Sequence, residues 1–172
     1  MDFATPIIEL LAGVPHWIIV TFLAMVPVVE LRGAIPVGIG LFGMNPLTVL
    51  VLSVVGNMLP VAIIFYFLDP VSKFLSKHSK LFAKFFDWLF SRAEKKGKQN
   101  IERYKDLALM VFVAIPLPLT GAWTGTVIAL VFGYPFKNAF ISILLGVIIA
   151  GIIVTVLTMT GVHVWDLFTS AV

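Results

Sequence analysis

A carboxylate and a guanidinium stand two residues apart in Glu30-Leu31-Arg32-Gly33-Ala34-Ile35-Pro36, within a run that is otherwise apolar from Trp17 to Phe42. Pro27, Gly33, Pro36, Gly38 and Gly40 punctuate the same run. Proline and glycine at this density interrupt a helix, and a charged side chain near a bilayer centre costs about 2.5 to 3.5 kcal/mol on insertion scales. Broken backbone at membrane depth is tolerated only where protein or water surrounds it. The remainder of the chain must therefore enclose this stretch.

That a membrane is the relevant solvent follows from composition. The 172 residues are 60% hydrophobic and 12% charged, with a mean hydropathy of +1.06, outside the range of soluble globular domains. Cysteine is absent, which excludes disulfides and thiolate metal sites. His16, His78 and His163 are isolated, without ligand spacing, and read as interfacial side chains. No metal and no cofactor are expected. The first 13 residues carry Asp2 and Glu9 but no basic region or small-residue cleavage site, so they read as a short apolar segment at the interface and not as a signal peptide.

From Trp17 to Val29 there are 13 apolar residues, about 20 Å of helix and roughly half a span. The charged motif follows, then a second half-length piece from Ala34 to Phe42, ended by Gly43 and Asn45-Pro46. Two half-helices around a broken middle form either one kinked span or a re-entrant hairpin turning at Glu30–Pro36. Leu47 to Leu68 is long enough to cross the bilayer, with Asn57 and Pro60 near its centre. In 70–96, Val71, Phe74, Leu75, His78, Phe82, Phe85, Phe86, Leu89 and Phe90 recur at three- and four-residue spacing, opposite Lys73, Lys77, Lys80 and Lys84. This pattern predicts an amphipathic helix lying in the headgroup plane. Its phenylalanines form one helix face between membrane segments, so nucleic acid is not an expected partner.

The second half repeats the first. Leu107 to Ile115 leads into Pro116-Leu-Pro118-Leu-Thr120-Gly121-Ala122-Trp123-Thr124-Gly125, then Thr126 to Phe132, Gly133-Tyr134-Pro135 and an apolar stretch from Asn138 to about Thr160. Pro27 precedes Pro46 by 19 residues and Pro116 precedes Pro135 by 19; Gly33-Ala34 answers Gly121-Ala122, and Phe42-Gly43 answers Phe132-Gly133. Ten of the twelve basic residues lie between Lys73 and Lys105, which makes the central connector cytoplasmic. Re-entrant hairpins also put Lys137 on that side; spanning segments would not. The expected architecture is thus an all-α integral membrane fold and an inverted repeat. Residues 1–69 supply a hairpin over about 16–43 and a transmembrane helix over about 46–68. Residues 70–106 form the cytoplasmic connector, and 107–172 supply a hairpin over about 107–133 and a transmembrane helix over about 136–160. Both termini are expected outside the cytoplasmic membrane. Inverted repeats of this kind place a binding site where two broken segments meet near the midplane.

With the Glu30–Pro36 and Pro116–Gly125 motifs in order along nearly its whole length, the chain resembles the small multidrug export proteins, themselves distantly similar to the DedA/VTT superfamily. The resemblance implies two membrane-dipping hairpins, each followed by a transmembrane helix, and movement of a substrate across or within the bilayer. DedA relatives are associated with export phenotypes and the flipping of lipid phosphates such as undecaprenyl phosphate. The second hairpin here departs from the DedA pattern, having Thr120, Trp123 and Thr124 but no arginine, so a two-arginine phosphate site does not carry over.

Intramembrane ionisable residues are functional by default. Glu30 reads as a proton-titrating or cation-binding carboxylate and Arg32 as an anion contact or its counter-charge; the alternative is a structural ion pair clasping the hairpin tip. In an extended turn the two would point to one side, whereas in a helix residues two apart do not face each other. Thr120, Trp123, Thr124 and Asn57 would add polar groups to the same site, or else satisfy backbone groups and helix contacts. Gly33, Pro36, Pro116, Pro118, Gly121 and Gly125 would shape the tips. The leading expectation is an ion-coupled transporter or flippase of a lipid phosphate or similar amphiphile. Proton-coupled export of lipophilic cations and a non-transporting membrane scaffold are the alternatives, and an enzyme is not expected. Membrane lipids, an amphiphilic substrate and a second copy in a homodimer are the expected partners.

Overall fold

The structure is a computed structural model and describes residues 13–78, 99–117 and 120–161. Those residues are helical, with no strand among them. The order is α1 (His16–Met25), α2 (Glu30–Pro36) running into a π-helical turn (Val37–Leu41), α3 (Pro46–His78), α4 (Gln99–Ala114), α5 (Ala122–Val131) and α6 (Phe136–Met159). Among the described residues two stretches are long and apolar enough to cross a membrane, Pro46–Phe67 in α3 and Phe136–Met159 in α6, while α1 and α5 have ten residues each. Ten residues make about 15 Å of helix, half of a ~30 Å hydrocarbon layer.

Local sequence explains the ends. Asn45 caps α3, its side-chain oxygen accepting from the Leu47 N–H at 2.9 Å, and Pro46 occupies the first helical position, where no N–H is needed. Pro36 withholds a helical hydrogen bond from the Arg32 carbonyl, and the wider π-helical turn follows at once. Gly43 and Gly133 both take a left-handed backbone, at φ 60° and 65°, which glycine adopts without steric cost. Each reverses the chain just before a long helix.

The first limb and its return lie side by side, so that the His16 ring at the start of α1 stacks on Phe42 past the π-helical turn, centroids 4.3 Å apart. The second hairpin closes similarly. Asn138 donates to Asp106 at 2.9 Å, and burial, with the Asp106 carboxylate adding to it, pushes the neighbouring Tyr134 hydroxyl above its ordinary range. The long helices run antiparallel: Phe65 meets Phe136 edge-on at 5.3 Å, and Leu50 lies against Gly151.

One packing contact is used twice. A Cβ at Gly56 of α3 would overlap the Thr21 carbonyl of α1 and lie 3.0 Å from Ala24; a Cβ at Gly146 of α6 would lie 2.7 Å from both the Met110 carbonyl and Val113 of α4. The glycines are 90 residues apart and their partners 89. Val49, Ser53, Gly56, Asn57, Pro60 and Val61 are buried on α3, and 90 residues on, Ala139, Ile143, Gly146, Val147, Ala150 and Gly151 are buried on α6. Small residues let the backbones approach closely enough for dispersion to hold helices together where lipid removes the hydrophobic drive. The opposite faces, Leu47, Val51, Val55, Leu59 and Ile63 on α3 and Ile141, Leu145, Ile149, Ile152 and Val156 on α6, are exposed and apolar, as a lipid-facing surface requires.

The structure differs from the sequence reading in register. Pro46 is the first residue of α3, but Pro135 precedes α6 as its N-cap, so the two prolines sit one position apart. Gly33 lies inside the first turn of α2 whereas Gly121 precedes α5, because the first break has four residues and the second seven. The bilayer-length part of α3 does not end the helix, which continues through Pro70 to His78. Residues 79–98, which include the remainder of the amphipathic helix expected over 70–96, lie outside the described residues, as do residues 1–12, Pro118, Leu119 and 162–172.

Adding a methyl at the repeated contact should overpack both halves. Gly56→Ala and Gly146→Ala are each expected to lower stability by about 1 to 3 kcal/mol, read as a drop in Tm in detergent. Gly40→Ala, where a Cβ meets nothing within 4 Å, serves as the neutral reference.

Candidate functional site

The breaks in the two hairpins meet, and each is completed by side chains of the other. In the first, α1 ends at Met25 and Val26–Val29 make the turn. The reversal thus precedes the charged motif, and Glu30–Pro36 is the start of the returning helix rather than the tip. Glu30 and Arg32 nevertheless meet, with Nη1 of Arg32 2.5 Å from Oε2 of Glu30. Glu30 has φ 49°, a left-handed conformation rare outside glycine and costing about 1 to 3 kcal/mol. That departure from helical backbone turns its side chain toward Arg32, which residues two apart in a regular helix could not achieve.

Both charges project into the second break. Arg32 Nη2 donates to the Ile115 carbonyl at 3.2 Å and to the Thr120 hydroxyl at 3.1 Å. Thr120 Oγ1 lies 2.6 Å from the Ile115 carbonyl and 2.8 Å from that of Leu117, one of which takes its proton. Ile115 follows the last residue of α4, so the guanidinium stands at a helix C-terminus. Glu30 stands at the other side of the gap, accepting from the Trp123 backbone N–H in the first turn of α5. A carboxylate at a helix N-terminus and a cation at a C-terminus are each favoured by the backbone dipoles. The tie is reciprocal: the Trp123 indole donates to the Met25 carbonyl at 3.0 Å, capping α1.

Gly121 permits this approach, since a Cβ there would overlap the Glu30 carboxylate. Gly125 lets α5 close on Val113 of α4, where a Cβ would lie 2.6 Å away. Glu30 and Arg32 are 3% and 6% exposed. Gly56 lies near the middle of Pro46–Phe67, the bilayer-length part of α3, and Gly146 near the middle of α6, and the last turns of α1 and α4 reach those glycines. The two breaks therefore arrive at one level, about halfway along both apolar helices.

Of the residues expected at this site, Glu30, Arg32, Thr120, Trp123 and Gly121 are brought together. Thr124 is half-buried one residue beyond Trp123 on α5, Pro116 lies in the gap, and Gly33 and Pro36 shape α2. Asn57 is fully buried on α3 with no hydrogen-bond partner for either amide atom among the described residues, and the hydroxyl of Ser53, one turn away, is buried without one among them too. Sequence reasoning missed Ser53 and the carbonyls of Met25 and Ile115. Ser53 was legible in the four-residue spacing to Asn57; the carbonyls had no signal, because any residue carries one. Among the described residues no group of three His, Cys, Asp or Glu side chains could hold a metal.

A family model described as "Putative small multi-drug export protein" matches residues 30–153, beginning at the motif glutamate. No curated protein and no solved structure matches the chain.

Trp123→Phe keeps the ring but removes the donor to Met25, and is expected to destabilise the protein by about 1 kcal/mol, seen as a lower Tm. Gly121→Ala should cost more, because it drives the Glu30 carboxylate from the α5 N-terminus; equal Tm values for Gly121→Ala and wild type would contradict the interlock.

Proposed function

The chain belongs to the small multi-drug export protein family, and on that premise we propose a small membrane transporter that moves an anionic amphiphile of the lipid-phosphate kind through the junction of the two breaks. The reading takes the hairpins as re-entrant and the halves as an inverted repeat, with the central connector cytoplasmic. Half-length limbs, the His16–Phe42 stack at one hairpin base, the antiparallel long helices and the twice-used glycine contact support it. Broken segments that meet at one depth are the design by which such repeats bind substrates.

The observation that carries the substrate class is the charge count at the junction. Arg32 holds its proton at all working pH values, and Glu30 is its ion-pair partner. The pair is therefore neutral with Glu30 ionised and carries +1 with Glu30 protonated. It is never net negative, and the partial charges of the α5 N-terminus and the α4 C-terminus oppose one another. A lipophilic cation finds no net attraction there, whereas an anion does once Glu30 takes up a proton. The Glu30 carboxylate, accepting from Arg32 and from the Trp123 N–H, occupies the place of a substrate oxyanion. Protonation releases both donors to the substrate, and substrate departure returns them to Glu30, which couples transport to proton movement.

The test is transport in proteoliposomes, with a short-chain fluorescent polyprenyl phosphate and a lipophilic cation as parallel substrates. Arg32→Ala is expected to abolish phosphate movement, and Arg32→Lys to reduce it at least tenfold because the planar fork is lost. The double variant Glu30→Gln/Arg32→Ala should be equally inactive, which separates loss of the anion contact from the cost of an unpaired buried charge. Glu30→Gln should keep phosphate movement and lose its dependence on a pH gradient. Undiminished phosphate movement in Arg32→Ala, or cation efflux that disappears with Glu30→Gln, would reverse the assignment.

A further inference from the structure

Beneath the first hairpin, three buried side chains carry polar atoms with no hydrogen-bond partner among the described residues: Nε of Arg32, Oγ of Ser53, and Oδ1 and Nδ2 of Asn57. Ser53 and Asn57 are both 0% exposed. Val49, Ser53 and Asn57 recur every four residues and so form one stripe along α3. Val49 packs on Gly38, so this stripe faces the returning limb that carries Arg32. Arg32 lies six residues nearer the tip than Gly38, about 9 Å along the limb, which sets it level with residue 55, between Ser53 and Asn57. The three unpartnered groups thus share one depth and one interface.

The corresponding positions of the other half, 90 residues on, are Ile143 and Val147, both fully buried. Packing at this place in the fold is met by apolar side chains, and a buried polar group without a partner is destabilising. Ser53 and Asn57 are therefore not there for packing. Their chemistry is mostly that of donors: one N–H from Arg32, one O–H from Ser53 and two N–H from Asn57, beside a permanent positive charge. With Glu30 ionised that charge is balanced, and with Glu30 protonated it disfavours a cation and favours an acceptor.

We infer that Ser53, Asn57 and the Nε–H edge of Arg32 form a second anion subsite, which takes an oxyanion head group or a small free anion. It extends the proposed transport site and rests on that reading for the route by which an anion arrives. The two edges of the guanidinium then have different tasks. The Nη edge holds Glu30 and the second hairpin, while the Nε edge and α3 hold the anion.

The test uses the full chain in nanodiscs of neutral lipid, with Tm followed by intrinsic tryptophan fluorescence. The probes are sodium chloride against sodium gluconate, inorganic phosphate, and a short-chain polyprenyl phosphate. Wild type should show a saturable rise in Tm with at least one of them, and the comparison of free and lipid-borne anions identifies the source. Ser53→Ala/Asn57→Val, which makes both positions apolar as they are in the other half, should melt above wild type without anion and lose the anion-dependent shift, with apparent affinity falling at least tenfold. Asn57→Asp places a carboxylate beside Arg32 as a tethered anion, and should likewise raise Tm and abolish the shift. An absent shift in wild type, a shift that persists in Ser53→Ala/Asn57→Val, or an Asn57→Asp protein that melts below wild type would each overturn the subsite. A persistent shift alongside Arg32-dependent lipid-phosphate transport would remove the subsite and leave the transport reading standing. Anion binding that depends on Ser53 and Asn57 without lipid-phosphate transport would do the reverse.

Discussion

The fold depends on how two interrupted helices are completed at a depth where solvent cannot complete them. Each break leaves carbonyls at one helix end and N–H groups at the next, and in hydrocarbon such groups cost several kcal/mol each. The Glu30–Arg32 pair answers this in the second break, with the cation at the end of α4 and the carboxylate at the start of α5. The Trp123 indole answers it at the end of α1. A buried ion pair alone is weak support for stability, since desolvation offsets attraction. Here both ions also bond to backbone or hydroxyl groups that would otherwise be unmet, and removing either partner leaves a charge and a helix terminus exposed together.

The helices around the pair keep that junction buried and close. Glycines at 56 and 146 bring α1 onto α3 and α4 onto α6, and Gly121 admits the Glu30 carboxylate to the α5 N-terminus. Where the halves differ, they differ at the site. The first hairpin has a short break and a π-helical return that carry the charges, the second a longer break that receives them. α3 buries Ser53 and Asn57 where α6 buries Ile143 and Val147.

Much of this was legible along the chain. Apolar stretches of 22 and 24 residues announce two membrane-length helices, since no shorter element spans the layer. Proline and glycine in two matching places announce two breaks, and an ion pair inside an apolar run announces that something must surround it. The position of the first turn was misread, because the motif's own glycine and proline suggested a tip that the chain makes earlier, at Val26–Val29. Spacing also paired Pro46 with Pro135 and Gly33 with Gly121, whereas the long helices align at 90 residues and the first limbs at 89. Insertions within loops shift register without changing which contacts recur.

The sequence by itself determined the class of the protein, its two long helices and its two interrupted ones, because hydropathy, length and helix-breaking chemistry are properties of consecutive residues. Only the tertiary structure decided that Glu30 turns to face Arg32, that the pair belongs to the other hairpin's helix ends, and that Ser53 and Asn57 lie buried with no hydrogen-bond partner among the described residues. The interlock of the two breaks rests on backbone carbonyls and a hydroxyl met by side chains more than 80 residues away. Every residue has a carbonyl and an N–H, so no side-chain pattern marks which of them a distant charge will meet.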